Sequence, residues 1–199
     1  PIRGEAFAGL NRLRYLDMAD NIYTTNVPPQ ISQLPELQFF YMDNTLFING
    51  VQQDLNFLIG MQNLRETWMD FTTFVGGIPP QMGSIVTLES LSLTFCGLTG
   101  KIPPELGNLP SLDRVWLYQN QLTGQIPTEL GQLERIQILF LEGNLLSGAM
   151  PGEICVHRNT GNLAMLGADC DNTGTTPSTS ISCTCCTCCG QFQCEDFVF

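Results

Sequence analysis

Three stretches of the chain are near copies of one another, set 24 residues apart. "IPPQMGSIVTLESLSLTFCGLTGK" begins at Ile78, "IPPELGNLPSLDRVWLYQNQLTGQ" at Ile102 and "IPTELGQLERIQILFLEGNLLSGA" at Ile126, and Met150-Pro151 opens another. Weaker copies run upstream. The anchors Leu13, Leu37, Leu64, Leu88, Leu112, Ile136 and Leu163 follow at steps of 24, 27, 24, 24, 24 and 27. A period of this length leaves few folds open. Each unit is one supersecondary element that cannot bury its apolar face alone, so the units must stack into a solenoid around a shared core. The two longer steps place small insertions near Val51–Gly60 and Cys155–Gly161.

Each unit reads L-x-x-L-x-L-x-x-N/C-x-L with an added L-x-G-x-I-P. On these residues, from Leu10 to about Cys170, the chain resembles the plant-type extracellular leucine-rich repeat family. The resemblance implies an α/β repeat: a right-handed solenoid with about seven parallel strands on its concave face. It also implies that family's repertoire, namely recognition of peptides or polysaccharides, inhibition of other enzymes, or service as a receptor ectodomain.

The residues agree with such a coil. Alternate strand positions are suited to the core: Leu16/Met18, Phe40/Met42, Thr67/Met69, Leu91/Leu93, Val115/Leu117, Leu139/Leu141 and Leu166/Ala168. After each strand the chain must turn, and Asn21, Thr45, Thr72, Cys96, Asn120 and Asn144 hold that position. A buried polar side chain there bonds backbone groups that the bend leaves open. This accounts for Cys96 as a buried free thiol. Gly76, Gly100, Gly124 and Gly148 mark a tight bend or a close approach of coils, and Pro79, Pro103, Pro127 and Pro151 close each unit on its convex side.

The residues between the buried ones face the concavity. The central row reads Asp17, Tyr41, Trp68, Ser92, Trp116, Phe140 and Gly167. Before it run Tyr15, Phe39, Glu66, Ser90, Arg114, Ile138 and Met165, and after it Ala19, Asp43, Asp70, Thr94, Tyr118, Glu142 and Asp169. Both tryptophans and three of the four tyrosines therefore share one surface. Strands about 4.8 Å apart would make the rings a continuous platform, with Trp68 and Trp116 roughly 10 Å apart. Ser90, Ser92 and Thr94 interrupt it as a gap or a hydrogen-bonding notch. The expected binding residues are Tyr15, Asp17, Phe39, Tyr41, Asp43, Glu66, Trp68, Asp70, Arg114, Trp116, Tyr118, Phe140 and Glu142. Rigid rings give contact area at low entropic cost, and the carboxylates favour a cationic or hydroxyl-rich partner. The competing explanation is that the rings only pack on one another and stiffen the sheet.

Composition removes several function classes. With 19 acidic against 8 basic residues the net charge is −11, so nucleic acid and anionic membranes are repelled over most of the surface. No apolar run reaches the roughly 18 residues of a membrane span. Enzymatic motifs are missing too: there is no phosphate loop and no HExxH, and the single histidine, His157, sits near Cys155 in a convex segment. "DCDNTG" from Asp169 lacks the ligands of a calcium loop. Carboxylate pairs such as Glu66 and Asp70 lie on an open sheet, where little desolvation is expected. No cofactor and no metal are called for.

The cysteines point to the compartment. Of nine, eight lie late in the chain: Cys155, Cys170, Cys183, Cys185, Cys186, Cys188, Cys189 and Cys194. Such a set reads as a disulfide framework from an oxidising compartment, hence an extracellular or cell-surface protein. A capping bridge between Cys155 and Cys170 is the first expectation, with the other pairings left open. The tail also resembles that of secreted microalgal leucine-rich repeat proteins. The expected organisation is a solenoid over 1–170, a Thr/Ser/Pro linker over 171–182 and a Cys-rich tail over 183–199. Ahead of the first coil the family's paired-cysteine cap is missing, so either the true beginning is absent or a partner covers that end.

The sequence thus predicts a non-enzymatic extracellular module that binds a protein, peptide or polysaccharide on its concave face. The alternative is a structural subunit that self-associates through the solenoid ends and the tail.

Overall fold

The computed structural model of the protein describes residues 2–169, 181–183 and 185–188. Its main feature is an eight-stranded parallel sheet. Seven strands come from the seven expected coils: Tyr15–Asp17, Phe39–Tyr41, Glu66–Trp68, Ser90–Ser92, Arg114–Trp116, Ile138–Phe140 and Met165–Ala168. Their registers match the repeat, with Leu16 opposite Phe40, Thr67 opposite Leu91 and Val115 opposite Leu139. The eighth strand is Thr187–Cys188, paired with Gly167 and Ala168.

Each coil descends from its strand, turns, and returns through a short 3-10 segment such as Pro80–Ser84, Pro104–Asn108 or Thr128–Gln132. The prolines Pro79, Pro103 and Pro127 are the N-caps of these segments, where a fixed φ and a missing N–H cost least. Neighbouring segments approach so closely that a Cβ on Gly107 would collide with the carbonyl of Glu129. The L-x-G-x-I-P portion adds a second, lateral sheet of Thr99–Gly100, Gln121–Gly124 and Leu145–Leu146. Gly100 and Gly124 take φ of 79° and 82°, so the bend is what requires glycine there. The first insertion holds the 3-10 segment Leu55–Gly60, and the second the α-helix Gly152–Thr160.

The core is one continuous column. It runs from Met18, Phe40 and Met42 through Met69, Leu93 and Leu117 to Leu141, Leu166 and Ala168. Leu16 is only partly buried, because the first coil has a neighbour on one side alone. The turn residues tie coil to coil. Thr45, Thr72, Cys96, Asn120 and Asn144 donate from their side chains to the carbonyls of Met18, Met42, Met69, Leu93 and Leu117 in the preceding coil. Asn120 Oδ1 also accepts from the N–H groups of Cys96 and Leu98. Cys96 is a buried free cysteine, as the motif predicts, and burial pushes its thiol pKa well above the ordinary value. Asn21 departs from the pattern. It is exposed and bonds only carbonyls of its own coil, Met18 and Ala19.

The C-terminal expectations need correction. Cys155 does not pair with Cys170; it pairs with Cys185. The reason is positional: the helix Gly152–Thr160 holds Cys155 on the last coil, and Ile181–Ser182 and Thr187–Cys188 stack onto that coil. A second bridge joins Cys183 and Cys186. Residues placed in a linker and a tail thus include strands that continue the solenoid. Cys170, Cys189 and Cys194 lie outside the described residues, as does the side chain of Cys188.

Candidate functional site

The strand pairing sets the predicted binding residues side by side, one coil apart. Tyr15 and Tyr41 have ring centroids 5.3 Å apart, and Tyr41 and Trp68 are 5.6 Å apart. Farther along, Tyr118 and Phe140 are 6.5 Å apart. Tyr15 and Trp68 stay 55% and 40% exposed, so packing between rings does not consume the surface. Phe39, Trp116 and Phe140 are half-buried.

The rings form two ladders, and the middle is closed. Ser90, Ser92 and Thr94 are buried, which corrects the expected gap or notch. Their small size lets neighbours lean over them. Trp68 Nε1 donates to Ser90 Oγ at 3.3 Å, while Asp70 accepts from Ser92 Oγ and from the Thr94 N–H at 2.7 Å each. Arg114 Nη2 reaches 3.7 Å from Glu66 Oε2, spanning the serine coil from the two coils beside it.

The carboxylates differ in their surroundings. Glu66 also accepts from Tyr41 Oη at 2.5 Å. Burial and that bond push the Tyr41 hydroxyl pKa up. Asp17 accepts from the Ala19 N–H and Asp43 from the Asp70 N–H. Burial raises the Asp43 pKa, and the charges of Asp70 and Asp17 add to that. Glu142 was expected to lie in the open and does not. It folds over Gly167, where a Cβ would lie 2.5 Å from Glu142 Oε2 and 2.6 Å from the Phe140 ring. Oε2 is buried without a hydrogen-bond partner among the described residues. Burial first, and then the charge of Asp169, push the carboxyl up to about 7.

Sequence reasoning missed two residues of this surface, Phe71 and Phe95. They occupy the position between the last concave residue and the buried turn residue. Their rings stack with centroids 4.8 Å apart and 10° between planes, and Phe95 reaches Tyr118 at 5.9 Å. They are 60% and 44% exposed. The available signal was their spacing of 24 residues in the repeat.

A family model described as Leucine Rich Repeat matches residues 87–109 and 111–133. The chain has the leucine-rich-repeat solenoid fold, and its coils are similar to those of plant receptor ectodomains. Among solved structures, a TDR receptor is 25% identical at a TM-score of 0.71, over 81% of this chain and 27% of that one. The plant peptide hormone receptor RGFR1, solved in complex with RGF2, is 25% identical at 0.67, over 86% and 30%. A plant ice-binding protein is 28% identical at 0.60, over 79% and 47%. The solenoid therefore spans less than a third of either receptor. No curated protein sequence matches it. The same coils thus serve proteins with unlike ligands, and fold alone does not choose among them.

Proposed function

We propose that this solenoid is a non-enzymatic extracellular recognition module that holds a peptide or protein segment on its concave face. The observation that carries the reading is the ring ladder Tyr15, Tyr41 and Trp68, exposed at Tyr15 and Trp68, beside Asp17, Asp43 and Asp70, none of which joins an ion pair among the described residues. Rings of this kind supply contact area, and the unbalanced charge selects a cationic partner. The peptide complex of RGFR1 supports the choice of ligand class. A polysaccharide stacked on the same rings is the competing ligand. The disulfides Cys155–Cys185 and Cys183–Cys186 support the extracellular placement. Among the described residues, no helix is long and apolar enough to cross a membrane.

Trp68 and Trp116 both belong to this face, so tryptophan emission reads it directly. The test is a titration with basic peptides, neutral glucans and anionic polysaccharides. A saturable shift with basic peptides supports the proposal; a shift only with glucans replaces the ligand class.

One observation favours a second reading, a structural subunit. Among the described residues the strand Tyr15–Asp17 is paired on one side only, and Leu10 ahead of it is 40% exposed. Sedimentation over a range of concentrations decides this, because stacking through that end would give a mass that grows with concentration.

A further inference from the structure

We infer that the Phe71–Phe95 stack anchors the partner: a cationic peptide seats an aromatic or aliphatic side chain on these rings and lays a neighbouring arginine or lysine over Asp43 and Asp70. This rests on the recognition reading above, but its aromatic anchor, Phe71 and Phe95, lies outside the predicted concave set.

The fold gives no local reason for phenylalanine here. The equivalent positions in other coils are Asp20, Asn44, Gln119 and Gly143, and all six residues have positive φ, 56° and 54° at Phe71 and Phe95. The backbone bonds are the same whatever the side chain: the Phe71 N–H donates to the Thr94 carbonyl and the Phe95 N–H to that of Tyr118, as Asn44 donates to Asp70. Neither ring enters the core. Instead, two parallel, stacked rings stand 60% and 44% exposed on the shoulder of the concave face. Through Tyr118 they continue into the second ring ladder. Over the closed serine coil, which lacks concave rings, this shoulder is where an apolar side chain finds exposed aromatic surface.

Charge complementarity chooses the occupant. Asp17, Asp20, Asp43 and Asp70 lie in the three coils leading to Phe71, and every ion pair among the described residues is formed elsewhere, at Arg14–Glu36, Arg65–Glu89, Arg114–Glu66 and Arg114–Asp113. The mutual repulsion that helps raise the Asp43 pKa is relieved by a cation placed there. Asp70 and Phe71 are adjacent, so the cationic and apolar groups of the partner belong within a few residues of each other.

The test uses fluorescein-labelled peptides in a Gly/Ser background with one arginine and one phenylalanine two positions apart, an extended span of roughly 7 Å. Control peptides replace the arginine with glutamate or the phenylalanine with serine, and a labelled linear glucan is run in parallel. Binding is read by anisotropy on the intact chain. The double variant Phe71→Asn, Phe95→Asn keeps its fold, because Asn44 already occupies the same turn; its melting temperature verifies this. The expected result is that the Arg/Phe peptide binds at least about tenfold more tightly than either control, and that the double variant loses about thirtyfold, the lower bound of a hot-spot effect. Equal binding by the double variant overturns the anchor while leaving the concave reading intact, and so does loss only on Trp116→Ser. Binding of the glucan alone overturns the anchor and the peptide class. No binding by any probe overturns both.

Discussion

Glu66 and Arg114 belong to coils that are not neighbours, yet their side chains come within 3.7 Å across the coil between them. Ser90 makes this possible. It lies in register between them and is fully buried beneath the pair and the Trp68 ring. A larger side chain at Ser90 would have to displace both. Ser90→Leu should therefore destabilise by about 1–3 kcal/mol through overpacking. It should also expose Trp68, seen as a red shift of its emission. The ion pair itself contributes little. A double-mutant cycle with Glu66→Gln and Arg114→Met should give a coupling of about 1 kcal/mol or less, because both groups keep contact with water.

Asn120 should be the costliest turn residue to lose. Its side chain donates to the carbonyls of Leu93, Leu117 and Tyr118 and accepts from the N–H groups of Cys96 and Leu98. Asn120→Ala leaves several buried backbone groups unpaired, at about 2–4 kcal/mol in total. Asn21→Ala, at the exposed end, should cost under about 1 kcal/mol because water replaces its bonds. Urea denaturation of the two variants checks the contrast.

What the sequence made legible, and what it did not, follows from where each property is decided. The coil register and the core were readable because a fixed period places the same side-chain type at the same point in every unit, as with Leu91, Val115 and Leu139. Tyr15, Tyr41 and Trp68 were readable for the same reason. The closure over Ser92 was not, since a small residue is open or covered according to its neighbours' reach. Phe71 and Phe95 escaped because strand alternation ends at Asp70 and Thr94, and the left-handed residue that follows breaks the two-residue period. Glu142 was misjudged because its desolvation depends on Gly167 in the next coil. The partner of Cys155 was set by a helix and a returning strand that no cysteine spacing reports.

The bridge Cys155–Cys185 closes a loop of 30 residues between the last helix and the returning segment. A loop of that length implies about 3–4 kcal/mol of stabilisation through the unfolded state. Replacing both cysteines with serine should therefore lower the melting temperature. It should also speed exchange of the Ile181 amide, which donates to the Asp169 carbonyl. Peptide mapping under non-reducing conditions should recover Cys155 linked to Cys185, and a Cys155–Cys170 link would contradict the arrangement.

Cys96 should be inert while the protein is folded. It is fully buried and its pKa is pushed up by that burial, so the reactive thiolate is scarce and reagents cannot reach it. Alkylation with iodoacetamide followed by mass spectrometry should leave Cys96 unmodified in the native chain and modify it in denaturant. Cys96→Asn should fold and hold or gain stability, since Asn120 and Asn144 fill the same position with more hydrogen bonds.

Glu142 makes stability depend on pH. Its folded pKa of about 7 lies above the 4.5 of the free side chain, so the folded state holds the proton more tightly. The stability this supplies is complete below about pH 4.5 and is lost as pH rises through about 7. Above that range the buried carboxylate, beside Asp169, carries its full cost, roughly 3 kcal/mol at most. Burial shifts Asp43 in the same direction, so it adds to the loss of stability as pH rises. Glu142→Gln isolates the larger contribution: its melting temperature should fall less than that of the wild type between pH 5 and pH 8. Parallel curves for the two proteins would show that Glu142 titrates at its ordinary value, and that solvent reaches the niche above Gly167.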